Sequence, residues 1–197
     1  MIGILDYGMG NVRSVQKAIE YLGENAVISG DFSLLDRCDR LILPGVGSFG
    51  AGMEELTKRG LDGYLRLRAD DETPVLGICL GMQFLLEKSF EEGEHAGLGF
   101  CKGDVVRFTR GKVPQIGWNS VFSLRSPLFE GIPENTYFYF VHSYHARTEK
   151  EFSIATCNYF EDYPAAVWNG KSVYGTQFHP EKSGDAGLAL LKNFLKL

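Results

Sequence analysis

The stretch Val75-Leu76-Gly77-Ile78-Cys79-Leu80-Gly81-Met82-Gln83 constrains the fold more than any other segment. An apolar run ends in Gly-x-Cys-x-Gly and passes straight into helix-forming residues. The pattern describes a strand that stops, turns sharply and holds a nucleophile out at the start of a helix. The flanking glycines fit because a Cβ at either position would crowd such a turn. A helix N-terminus behind the sulfur would favour thiolate over thiol. The alternative is a buried structural cysteine between two unrelated glycines, and the pentapeptide alone does not separate the two.

One hundred residues downstream lies Gln177-Phe178-His179-Pro180-Glu181. A cysteine nucleophile needs a base, and the base needs an orienting group. The chain has four histidines, at 95, 142, 145 and 179. His179 precedes a proline, which biases it to extended backbone. Residues two apart in an extended segment face the same way, so Glu181 is expected beside His179. His-Pro-Glu is also ordinary turn composition. Joined to the cysteine elbow, it completes the order Cys79, His179, Glu181.

A third segment, Arg40-Leu41-Ile42-Leu43-Pro44-Gly45-Val46-Gly47-Ser48-Phe49, again runs from apolar strand to glycine-rich turn. Acyl transfer needs backbone N–H groups aimed at a developing oxyanion. Val46 or Gly47 is the expected donor on this turn, and Leu80, just after the nucleophile, the other. A plain strand-to-helix turn or a phosphate-binding turn fits too, although no Lys follows in a P-loop pattern.

With 197 residues the chain is within the range of one domain. Its net charge of −5 argues against nonspecific nucleic-acid binding. No apolar run reaches the roughly 18 residues of a membrane span. The opening Met1-Ile2-Gly3-Ile4-Leu5 lacks the form of a signal peptide and reads as a first strand. Cysteines at 38, 79, 101 and 157 have no paired spacing, as expected of reduced thiols in a cytoplasmic protein. No CxxC or HExxH is present, so neither a metal nor a cofactor is expected.

Strands are expected at Ile2–Leu5, Ala26–Ser29, Leu41–Leu43, Val75–Ile78, Asp104–Phe108, Tyr137–Val141, Phe152–Thr156, Ala165–Trp168 and Val173–Phe178. Helices are expected at Asn11–Leu22, Met53–Arg59, Gly81–Lys88 and Ala186–Leu195. Alternation in the first half implies a parallel sheet, and the strand-rich run from about 104 to 178 adds antiparallel strands. The fold class is therefore α/β, a mostly parallel mixed sheet flanked by helices. Its ligand crevice lies outside the carboxyl ends of the strands, where both glycine-rich turns leave. Val12, Val15, Ala18, Ile19 and Leu22 form a core-facing stripe, as do Leu188, Leu191, Phe194 and Leu195. Glu91-Glu92-Gly93-Glu94 reads as a solvated loop with His95 exposed beside it. Tyr137–Phe140 reads as a strand packed on both faces.

Gly-x-Cys-x-Gly, the downstream His-Pro-Glu and the Pro-Gly-Val-Gly turn resemble the class I (triad) glutamine amidotransferases. The likeness runs over essentially the whole chain, implying one domain over residues 1–197. Asp6-Tyr7-Gly8-Met9-Gly10-Asn11, the turn at 44–49, the elbow at 77–83, Pro114-Gln115-Ile116-Gly117-Trp118-Asn119 and Phe140-Val141-His142-Ser143-Tyr144 are similar to one branch. That branch is the glutaminase subunits of imidazole glycerol phosphate synthases, of histidine biosynthesis. The resemblance implies that Cys79 attacks the side-chain amide of L-glutamine, His179 moves the proton and Glu181 orients it. Gly47, Gln83, Ser143 and Tyr144 match glutamine-site positions, and Val46, Gly47 and Leu80 the oxyanion donors. No residue of the implied triad departs from the pattern.

The resemblance also implies a partner, a (β/α)8-barrel cyclase subunit that receives ammonia and makes imidazole glycerol phosphate and AICAR. A sealed path makes chemical sense, because ammonia in water is largely protonated. Gln115, Trp118 and Asn119 match the contact segment, with Asn11 and Lys182 as further candidates. Trp118 fits either an interface or the core of a hairpin, and Lys182 either partner or ligand. The branch further implies low activity without the partner, for which a peptide flip in the Pro44–Gly47 turn is a physical route. A glutaminase serving another synthase, such as that for pyridoxal phosphate, is the nearest rival reading, and the Pro114–Asn119 segment argues against it. A free-standing cysteine hydrolase and a catalytically dead interaction subunit are the others.

Overall fold

The early apolar runs form β1 (Ile2–Leu5), β2 (Ala26–Ser29), β3 (Arg40–Gly45) and β4 (Val75–Cys79) in a computed structural model that describes residues 1–197. Between and after them lie helices α1 (Val12–Tyr21), α2 (Phe32–Leu35), α3 (Phe49–Lys58), α4 (Leu61–Asp70) and the single turn α5 (Leu80–Gln83). Nine more strands follow: β5 (Lys88–Ser89), β6 (His95–Ala96), β7 (Asp104–Arg107), β8 (Gln115–Phe122), β9 (Thr136–His142), β10 (Tyr144–Arg147), β11 (Ser153–Asn158), β12 (Asp162–Trp168) and β13 (Val173–Thr176). Helix α6 (Gly184–Phe194) closes the chain.

The main sheet has nine strands in the order β2-β1-β3-β4-β13-β12-β11-β8-β9. Pairing is parallel from β2 to β13 and antiparallel from β13 to β9. A small second sheet, β10-β7-β5-β6, lies beside it. Alternate strand residues feed two separate cores, as pleating requires. Ile2, Ile4, Ile42, Leu76 and Ile78 face α1 and α6 through Val15, Ile19, Leu190 and Leu191. Leu5, Leu41, Leu43 and Val75 face α3 and α4 through Leu56, Leu61 and Leu65. Burial on both faces explains why these strands read as continuous apolar runs rather than alternating ones.

The helix expected at Gly81–Lys88 is one turn, and Lys88 belongs to β5. Met82, Phe84, Leu85 and Leu86 are all fully buried, so no amphipathic face holds a longer helix together. Instead Glu87 N–H bonds Gly103 O and the chain enters the small sheet. Helix α3 begins at Phe49 rather than Met53, since its glycines serve packing. A Cβ on Gly52 would strike the Phe84 ring. His95 is half-buried in β6, its ring against Gly50, rather than exposed. On β9, Phe138 and Phe140 are buried but Tyr137 is exposed, so this strand packs on one face only.

Candidate active site

Register alone brings the expected segments together. Gly45 pairs with Cys79 across β3 and β4, and Thr176 with Ile78 across β13 and β4. Three carboxyl ends therefore stand side by side, and the turn after β3, the elbow after β4 and the segment after β13 share one crevice. Cys79 sits at φ 56°, ψ −110°, a conformation rarely adopted by non-glycine residues and held here by its surroundings. Gly81 lets the elbow close, because a Cβ there would collide with Leu43 O. Gly77 is as constrained, since a Cβ on it would lie 2.5 Å from Gly81 O. The crowding expected at both flanking glycines is present.

His179 Nδ1 lies 2.8 Å from Glu181 Oε1, with both side chains almost fully buried. His179 has the expected extended backbone, but Pro180–Lys182 is a 3₁₀ turn. It is this turn, not strand alternation, that brings the carboxylate back to the ring. Burial opposes charge on His179. Its hydrogen bonds to Cys79 and Glu181, and their negative charge, outweigh that and lift the ring to about 9. Cys79 is the one cysteine in the crevice. Burial pushes the other thiols up, Cys101 to about 12 and Cys157 to about 11, and Cys38 in the same direction. The short α5 limits what a helix dipole gives the sulfur.

Val46, Gly47 and Leu80 donate none of the backbone hydrogen bonds made in turns and loops, and all three line one cleft with Cys79. Gly47 takes φ +95°, and the Tyr7 hydroxyl donates to Pro44 O at 2.9 Å, anchoring one end of the turn. A cleft of about 370 Å³ contains Cys79, Gly47, Leu80 and Gln83 together with Ser143, Tyr144, His179 and Lys182. The residues expected to bind glutamine thus line the same space as Cys79. Glu91 lines it too, and its Oε2 accepts from Phe49 N at 2.6 Å, capping α3. Composition places Glu91 in a solvated loop instead; a contact 42 residues away in sequence carries no local signal. His142, buried beside the cleft, is driven down to about 3 by burial, so it stays neutral. The second oxygen of Glu181 has no partner, and a separate cleft lined by Ser14 and Lys17 reaches this residue from outside.

The five contact candidates separate. Trp118 is 56% exposed and meets Tyr139 edge to face on the open side of β8 and β9, so it is not a core residue. Ile116 and Tyr137 are exposed as well. Lys182 is exposed at the cleft. Asn11, half-buried, precedes α1 without capping it by its side chain. Asn119 spends its amide on Asn158 O at 2.8 Å. Gln115 is 3% exposed, 2.9 Å from the Tyr163 hydroxyl, and points inward rather than to any partner. No group of three or more His, Cys, Asp or Glu is placed to hold a metal ion, and no helix is long and apolar enough to cross a membrane.

The family model for glutamine amidotransferase class-I matches residues 3–197. The chain is 48% identical to a Methanococcus maripaludis protein described as imidazole glycerol phosphate synthase subunit HisH 1, covering all of both chains. It is 47% identical to the corresponding HisH subunit of Methanocaldococcus jannaschii, again over the whole of both. Among solved structures it is similar to a glutamine amidotransferase at TM-score 0.78 and 22% identity, covering 99% of this chain and 97% of that one. It is also similar to PurLQS from Thermotoga maritima at TM-score 0.80 and 19% identity, with the same coverage. These two share its fold.

Proposed function

This chain belongs to the class-I glutamine amidotransferase family, and we propose from that premise how its site works. It is the glutaminase subunit of imidazole glycerol phosphate synthase, acting in histidine biosynthesis. The observation that carries the mechanism is a strained Cys79 sharing one cleft with a histidine locked by a buried carboxylate.

Cys79 Sγ attacks the side-chain amide carbon of glutamine. Nδ1 of His179 is held by Glu181, so the other ring nitrogen is the one that exchanges a proton with the sulfur, and the charged ring already holds that proton when Cys79 attacks. The amide N–H of Leu80, with that of Val46 or Gly47, stabilises the tetrahedral oxyanion. His179 returns the proton to the leaving nitrogen, and ammonia departs. Water, deprotonated by His179, then hydrolyses the thioester to glutamate. Glutamine enters as a free amino acid with a positive end, and Glu91 places a carboxylate in the cleft for it. Ser143 and Tyr144 border the same space.

Ammonia passes to a (β/α)8-barrel cyclase subunit, which makes imidazole glycerol phosphate and AICAR. Support for a docking face comes from the exposed side of β8 and β9, where Ile116, Trp118 and Tyr137 stand together next to the cleft mouth at Pro114. Aromatic clusters of this kind anchor interfaces. Lys182 lines the same cleft as Pro114.

Cys79→Ser tests the assignment in the assembled complex. Glutamine-dependent synthesis is expected to fall about a thousandfold or more, while synthesis fed with ammonia continues. Loss of both routes would make Cys79 structural or the partner wrong.

A further inference from the structure

Gln177 lies between the end of β13 and His179, fully buried. Its side chain touches two parts of the site at once. Its Oε1 accepts from Gln83 Nε2 at 3.0 Å, and its Nε2 lies 3.8 Å from Cys79 Sγ. Gln83 Nε2 also donates to Tyr144 O at 2.9 Å.

The polarity of this chain is forced. Tyr144 O is a carbonyl and only accepts, so the Gln83 atom facing it is the nitrogen. That nitrogen has two hydrogens, and the second meets Gln177. The Gln177 atom facing it must then be the oxygen, which leaves the Gln177 nitrogen against the sulfur. The same logic turns the Gln83 oxygen away from the network. That oxygen accepts no protein hydrogen bond, is not sealed among the buried unpartnered atoms, and belongs to a residue lining the cleft. It is an open acceptor for an N–H of the bound amino acid.

We infer that Gln177 is a positioning residue that orients Gln83 toward substrate and places an N–H donor on the Cys79 sulfur. The inference rests on the glutaminase reading of this cleft. Its two functions are separable, because one uses the oxygen of Gln177 and the other its nitrogen. An N–H against the sulfur favours thiolate over thiol. An acceptor held in one orientation lowers the ordering cost of binding the amino acid.

Two variants in the assembled complex test it. Gln177→Glu keeps an oxygen for Gln83 and replaces the N–H beside sulfur by a second oxygen. Gln177→Leu removes both. For Gln177→Glu the KM for glutamine is expected to stay within about threefold of the parent while kcat falls about tenfold or more. For Gln177→Leu both change, KM rising about tenfold or more. Equal effects on KM in the two variants, or no effect in either, would overturn the role in orienting Gln83. A glutamine-independent arm follows alkylation of Cys79 by iodoacetamide against pH. The midpoint is expected to move to higher pH in both variants, and an unmoved midpoint would overturn the role at sulfur. The other three thiols are buried away from the cleft, so labelling is selective. A shifted midpoint in a chain that releases no glutamate would refute the glutaminase reading and keep the contact to sulfur. If Gln177→Leu fails to fold, Gln177→Met, of similar length and without the oxygen, takes its place in the KM comparison, and Gln177→Glu still decides the role at sulfur.

Discussion

At the scale of single residues, the site is built from groups held in states they would not adopt alone. Cys79 keeps a left-handed φ because Gly77 and Gly81 let three backbones crowd around it. His179 stays charged to about 9 although burial acts against it. The sign of the resulting pH dependence follows from linkage. Below the ordinary value of 6.5 the ring is charged in folded and unfolded chains alike, and its full stabilising contribution is present. That contribution is lost as pH rises through about 9. Glu181→Gln removes one of the interactions that raise the ring, so the alkaline loss of stability is expected to begin at lower pH. Melting midpoints of parent and variant from about pH 6 to about pH 10 would read this directly, and coincident curves would refute it. The triad is legible in sequence because Gly-x-Cys-x-Gly and His-Pro-Glu are local patterns with mechanical meaning. Glu91 is not, since its capping of Phe49 is a long-range contact. Gln177 stands two residues before His179, but only the fold puts its amide between Cys79 and Gln83.

At the scale of elements, the first four parallel strands are legible as apolar runs, because both of their faces are covered. Where local signal and packing disagree, packing decides. The α4 segment Leu61–Asp70 has no side-chain cap and opens on Gly60 at φ +68°, so no start signal marks it in the sequence. The β8 strand is equally unmarked, because Gln115 faces in while Ile116 and Trp118 face out, reversing the usual pattern. That reversal has a functional consequence. Trp118 makes little core contact, so Trp118→Ala is expected to change folding stability by no more than about 0.5 kcal/mol. It is expected to weaken association with the barrel subunit by about 2 kcal/mol or more, roughly thirtyfold in affinity. Denaturant unfolding and titration calorimetry give the two numbers. A large loss of stability with unchanged affinity would return Trp118 to the core.

At the scale of the whole molecule, β9 joins the exposed aromatic face to His179. Tyr139 points its ring at Trp118, while its backbone O accepts from His179 N at 2.9 Å. Its N–H donates to Ser183 Oγ at 3.0 Å, and that hydroxyl donates to His179 O at 2.7 Å. On the proposed docking, a partner seated on β8 and β9 would lie one hydrogen bond from the His179 backbone, which is the route by which docking is proposed to reach the site. The α/β class, the parallel order and the shared crevice are legible from alternation of strands and helices. The small second sheet is not, because β5 and β6 are two residues each, too short to carry a strand pattern, and are ordered by pairing with each other and of β5 with β7. The most direct measurement is glutamate release from glutamine by the purified chain, alone and then with the barrel subunit and its nucleotide substrate. Strong stimulation on addition of both is the predicted result. High activity alone, unchanged by the barrel, would contradict the coupling and the partner, and no release under either condition would contradict the glutaminase chemistry itself.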